Sequence, residues 1–172
     1  MRPYFQKMQD WGKPVKENKA NAEEIKKVEA EIEELVQVAK NAGISQEVLN
    51  KRGEWTVHQR LAYIVDPGTW CPLHTLYDPM NEESGTTGVV DGLGKINGRW
   101  CVIIGFDNKV MAGAWISGQS ENILMVTDMA KRLNVPLVWL TNCSGVKLME
   151  QETVYAGRRS SGTPFFRHAD LN

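Results

Sequence analysis

The sequence predicts a mixed α/β domain, and three stretches carry that prediction. Asn97-Gly98 lies between two apolar runs, "GVVDGLGKI" and "RWCVIIGF", and both positions of that pair tolerate the positive φ that a two-residue type I′ hairpin requires. Ile123, Val126, Ala130 and Leu133 then recur at helical spacing, and the short, wholly apolar "LVWLT" follows. Strand, helix and buried strand in that order make a βαβ unit, whose crossover is almost always right-handed.

The remaining elements follow in chain order. Residues 1–18 mix aromatics, glycine, proline and charge, and read as an irregular arm. Over residues 20–42, Ile25, Val28, Ile32, Leu35, Val36 and Ala39 form a helical stripe. Glu23, Lys27 and Glu31 lie on the other faces, and Gly43 supplies a stop. The plainer reading is a packing helix with one solvated face; the other is a helix that docks on a partner subunit. A second helix starts at Thr56, where Gln59 completes a capping box, with Leu61, Ile64 and Val65 facing inward. Pro67-Gly68 ends it, and residues 66–87, with three prolines, read as loop. After the hairpin, Asp107-Asn108 turns into a third strand over about residues 110–115. Ser117 or Ser120 caps the next helix, which Asn134-Val135-Pro136 ends.

Composition narrows the function classes. A chain of 172 residues, 42% hydrophobic and 24% charged, suits one compact domain better than two. A net charge of −1 offers no basic excess, so nucleic acid is not an expected partner. Cys71, Cys101 and Cys143 are far apart and odd in number, which argues against a zinc ribbon or a disulfide framework and suits a reducing cytosol. His58, His74 and His168 show no ligand spacing, so no metal is expected. No signal peptide or bilayer-spanning run stands out, and a membrane is expected to be met only through a partner.

The candidate site is a backbone corner. "PLVWLTNCSGVKLMEQ" ends an apolar strand on Asn142-Cys143-Ser144-Gly145 before restarting. In open α/β sheets, ligands collect at such strand ends. Gly145 permits a tight turn and a close approach. N–H groups left unpaired after the turn can hold an oxygen that becomes negative, as when a thioester carbonyl turns into an enolate. Val146 N–H is the expected donor, with Gly145 lining the approach; a turn chosen for geometry alone is the alternative. Cys143 has no His nearby in sequence to activate it, and Ser144 lacks a Gly-x-Ser-x-Gly elbow. Arg158 and Arg159 sit in the Ser/Gly stretch of "AGRRSSGTPFFRH", followed by Arg167 and His168. Such a stretch suits the phosphates of a large anionic ligand, or is simply a solvated loop.

Several stretches together resemble the biotin-dependent carboxyltransferases of the crotonase superfamily. "DPGTW" is similar to that family's Asp-Pro-Gly-Ser/Thr-aromatic motif, "GVVDGLGKINGRWCVIIGFDNKVMAGAW" to its hairpin, and "ENILMVTDMAKRLNVPLVWLTNCSGVK" to its helix, strand and oxyanion corner. The resemblance implies an α/β crotonase (ClpP-like) spiral of ββα units. Residues 1–65 would be the N-terminal arm and helices, and residues 66–172 the first part of the CoA carboxyltransferase N-terminal domain. It also implies an acyl-CoA thioester substrate, biotin carried on a partner subunit as carboxyl carrier, and no metal.

"PYFQKMQDWGKP" and "RRSSGTPFFRHADLN" resemble most the members that decarboxylate glutaconyl-CoA to crotonyl-CoA. The implied partners are glutaconyl-CoA or a related acyl-CoA, a biotin carrier subunit, a sodium-pumping membrane decarboxylase subunit and a second copy in a homodimer. The implied location is cytoplasmic, peripheral to the membrane through partner subunits. Val146 beside Gly145 takes the family's oxyanion position, and Ser144, Arg158 and Arg159 are the expected CoA contacts. Acyl-CoA carboxylases of the family usually read Asp-Ser-Gly-Gly-Ala-Arg where this chain reads Asn142-Cys143-Ser144-Gly145-Val146-Lys147. Ser160-Ser161 also replace part of a glycine run found in the decarboxylating members. Two alternatives are an acyl-CoA (propionyl-, methylcrotonyl- or acetyl-CoA) carboxylase subunit and a non-catalytic CoA-binding fragment. The resemblance places a second oxyanion donor and the biotin-binding half beyond Asn172, so the chain alone is expected to be inactive.

Overall fold

The computed structural model describes residues 19–74, 76, 86–155 and 157–171 and holds a four-stranded sheet in the order β1 (Cys71–Leu73), β2 (Val89–Ile96), β3 (Arg99–Phe106), β4 (Leu137–Leu140). The arm read at residues 1–18 lies outside the described residues. By contacts the chain divides into Met1–Glu33 and Glu34–Asn172. The described part of the first unit is the start of helix α1 (Lys19–Asn41). The second holds the end of α1, α2 (Gln46–Lys51), α3 (Val57–Ile64), β1 (Cys71–Leu73), β2 (Val89–Ile96), β3 (Arg99–Phe106), α4 (Gln119–Leu133), β4 (Leu137–Leu140), α5 (Gln151–Tyr155) and α6 (Thr163–Ala169).

The hairpin forms as expected. β2 and β3 pair antiparallel from Val89↔Phe106 to Ile96↔Arg99, and Asn97 and Gly98 take φ of 51° and 79°, as a type I′ turn requires. Asp66 locks that turn, its carboxylate oxygens accepting the Asn97 N–H at 3.1 Å and the Gly98 N–H at 2.7 Å. β4 then pairs parallel to β3, with Val102↔Leu137 to Gly105↔Leu140, after the α4 crossover.

Alternation along β3 puts two cores on opposite faces of the sheet. Val102, Ile104 and Phe106 pack with Ile123, Val126 and Ala130 of α4. Cys101 and Ile103 pack with Val57 and Leu61 of α3. The capping box of α3 is complete: Thr56 Oγ1 accepts the Gln59 N–H at 3.2 Å, and Gln59 Oε1 accepts the Thr56 N–H at 3.0 Å.

Several elements differ from the sequence expectation. Along the α1 stripe Ile25, Val28, Ile32 and Leu35 are exposed, Val36 is half-buried and Ala39 is buried. Helical period fixes which residues share a face, but not what covers it. Residues 66–87, read as loop with little regular structure, hold a short strand, Cys71–Leu73, which pairs with Asp91–Leu93 as β1. Residues 110–115 are not a strand; Met111–Gly113 is a 3-10 turn with φ of 47°, 53° and 72°. Neither serine caps α4, since left-handed Gly118 is the N-cap and Ser120 lies inside the helix, accepting from Trp115 Nε1 at 3.4 Å. Leu133, at helical spacing with Ile123, Val126 and Ala130, is exposed where they are buried, and β4 is half-buried rather than buried.

Candidate functional site

The corner starts where β4 ends. Gly145 has φ of 110°, left-handed territory that favours glycine. Its N–H donates to Cys143 Sγ at 3.4 Å, so the thiol closes the turn locally. Beyond it the backbone pairs with the segment before α4. Trp115 N–H donates to Gly145 O at 2.7 Å, and Lys147 N–H donates to Trp115 O at 3.0 Å. This is a parallel bridge between Trp115 and Val146. It uses the groups on either side of Val146, and Val146 N–H makes no hydrogen bond among the described residues.

A second strip of backbone lies against the corner. Any Cβ on Gly113 would sit 1.9 Å from Asn142 O, so the two segments touch main chain to main chain. Ser144 Oγ also donates to Met111 O at 3.3 Å. Met111 and Ala112 hold positive φ without being glycine, a costly conformation that persists only where its surroundings impose it. Their N–H groups make no hydrogen bond among the described residues. Sequence reasoning missed this strip because "VMAGAW" has strand-like composition; Gly113 was the one local hint of a left-handed turn.

Two hollows are lined in part by the segment Trp115–Gly118, which bridges to the corner. A cavity of about 350 Å³ is lined by Ser117, Gly118, Ser120, Arg158, Arg159 and Ser160, among others. Arg158 is exposed, and Arg159 pairs with Glu121 of α4. Arg167 and His168, read beside them, stand apart on α6. Arg167 binds Asp128 at 3.2 Å. His168 packs edge-on against Trp139, 5.0 Å between ring centroids, and burial lowers its pKa. A larger groove of about 630 Å³ is lined by Trp115, Trp139, Thr141, Phe165, His168 and others. The strip from Trp115 to Gly118 therefore runs from the bridge at Val146 to residues that line both hollows, Arg158 and Arg159 lining the smaller one.

This ββα sheet, with its last parallel strand running into a glycine corner, is of the crotonase type seen in carboxyltransferase subunits. It superposes on the transcarboxylase 12S subunit with a TM-score of 0.66 at 20% identity, covering 83% of this chain and 28% of that one. The beta subunit of geranyl-CoA carboxylase from P. aeruginosa gives 0.63 at 20% identity, over 88% of this chain and 28% of that one. Residues 49–172 match the carboxyl transferase domain, and the chain belongs to that family. It is 51% identical over 173 residues to the alpha subunit of glutaconyl-CoA decarboxylase from Acidaminococcus fermentans, which covers 100% of this chain and 30% of that protein. The chain thus spans about a third or less of the length of these relatives.

Proposed function

We propose that this chain is the acyl-CoA-binding part of a biotin-dependent carboxyltransferase that decarboxylates glutaconyl-CoA. The observation that carries the reading is the unpartnered Val146 N–H beside Gly145. The thioester oxygen would accept that N–H as it gains charge, when the acyl carboxylate leaves. The Met111–Gly113 strip packs on the corner, and the second donor that the resemblance implies would lie beyond Asn172. Removing one such donor in other enzymes costs about 100- to 1,000-fold in kcat. Ser144, Arg158 and Arg159 would hold the CoA, the arginines taking phosphate at the cavity beside α4. Trp115 and Trp139 offer apolar wall to the acyl-pantetheine chain.

Biotin, on a partner subunit, would accept the carboxyl group; no described residue is assigned to hold it. A membrane-bound sodium-pumping subunit and a homodimer complete the reading, which rests on the full-chain likeness to the Acidaminococcus fermentans protein. No described helix is long and apolar enough to cross a membrane. The division into residues 1–65 and 66–172 belongs to the same proposal.

The test uses the full-length polypeptide with free biotin as acceptor for glutaconyl-CoA, and with carboxybiotin as donor for propionyl-CoA. Crotonyl-CoA formed from glutaconyl-CoA is the expected product. Turnover only with propionyl-CoA would assign the chain to an acyl-CoA carboxylase instead, and binding without turnover of either would leave a CoA-binding fragment.

A further inference from the structure

Glu150 ends the short turn Leu148–Glu150 that follows the corner. Its carboxylate reaches back across the chain. Oε2 accepts the Ser117 N–H at 2.9 Å, and Oε1 accepts from Lys147 Nζ at 2.5 Å. Ser117 lies two residues past Trp115, and Lys147 directly follows Val146. One carboxylate thus joins a second time the two segments that the Trp115–Val146 bridge joins once. Both interactions favour the ionised form, and the bond from Lys147 is the larger cause of a lowered Glu150 pKa. With side chains 39% and 27% exposed, the Lys147–Glu150 pair is partly screened by solvent, and the Ser117 N–H bond is what ties it to the other segment.

We propose that Glu150 is a positioning residue for the oxyanion corner, acting through the Val146 amide. This rests on the function proposed above. Without the carboxylate, two backbone hydrogen bonds would hold the bridge at Trp115, and the Val146 N–H could drift relative to a bound thioester. Small misplacements of a catalytic group cost on the order of 10- to 100-fold in rate. The ligand-binding surfaces at Arg158 and the Trp115 groove do not include Glu150, so the loss should fall on kcat and leave KM nearly unchanged.

The experiment is a double-mutant cycle in the full-length subunit, following crotonyl-CoA release from glutaconyl-CoA. E150A should lower kcat on the order of 10-fold or more. E150Q keeps an oxygen for the Ser117 N–H and should recover most of that loss. Val146→Pro deletes the amide hydrogen and Val146→Ala keeps it, so the first should be far slower. In the Val146→Pro background E150A should cost less than about 2-fold, because its target is gone. Full multiplication of the two losses would overturn the positioning role and leave the oxyanion reading standing. Equal rates for Val146→Pro and Val146→Ala would overturn both. If E150A folds poorly by circular dichroism, E150D replaces it; one methylene shorter, it cannot span both partners and must show the same masking.

Discussion

Asp66 accepts the Asn97 and Gly98 amides at 3.1 and 2.7 Å, so the first residue of "DPGTW" closes the hairpin turn. Thr69 of the same motif accepts the Lys95 N–H at 3.0 Å while donating to Asp66 O at 2.8 Å. The motif is a backbone clamp on the β2–β3 hairpin. Hydrogen bonds to a charged group contribute about 1.5–3 kcal/mol each, less where they are partly solvated. Asp66→Ala should therefore lower stability by about 2 kcal/mol in urea melts, and Asp66→Asn by less; an unchanged midpoint would mean the turn holds itself. At this scale the sequence was legible where a signal is local. Asn97-Gly98 dictates its own turn, and Thr56 finds Gln59 three residues away. Glu150 reaches Ser117 across 33 positions, and nothing in "KLMEQ" could announce that.

Elements were legible by period and misread where a long-range contact decides. The α4 stripe packs through Ile123, Val126 and Ala130 as its spacing says. Residues 110–115 look like a strand, but the Asn142 carbonyl against Gly113 and the left-handed backbone at Met111 and Ala112 replace it with a tight turn. Pairing of β1 with β2 adds a titratable feature that the sequence did not suggest. Leu73 faces Asp91 in register. The Asp91 side chain is fully buried, with His74 Nδ1 3.0 Å from Oδ1. Burial pushes its carboxyl from 3.8 up to about 6, against the pull of His74. The folded chain therefore holds this proton more tightly than the unfolded chain. That stability is fully present below about pH 4 and is lost as pH rises through about 6, roughly 3 kcal/mol in all. Asp91→Asn cannot lose the proton, so the stability of wild type relative to Asp91→Asn should fall by about that amount between pH 4 and 7. Parallel curves would show that Asp91 does not titrate in this range.

For the whole molecule, fold class and family could be read from the order of several unlinked motifs, and the match over residues 49–172 agrees. The exposed stripe of α1 could not, since periodicity is silent on what a face meets. The chemistry is harder to read because it is assigned to main chain. Any residue but proline can present an N–H, and the pairing of Trp115 with the neighbours of Val146 shows that the Val146 amide is left over among the described residues. The most direct measurement is a structure of the full-length subunit with a non-reacting acyl-CoA thioester bound. The thioester oxygen is expected about 2.7–3.1 Å from the Val146 nitrogen, with the CoA phosphates beside Arg158. A carbonyl oxygen held by other donors, with the Val146 amide facing solvent, would contradict it.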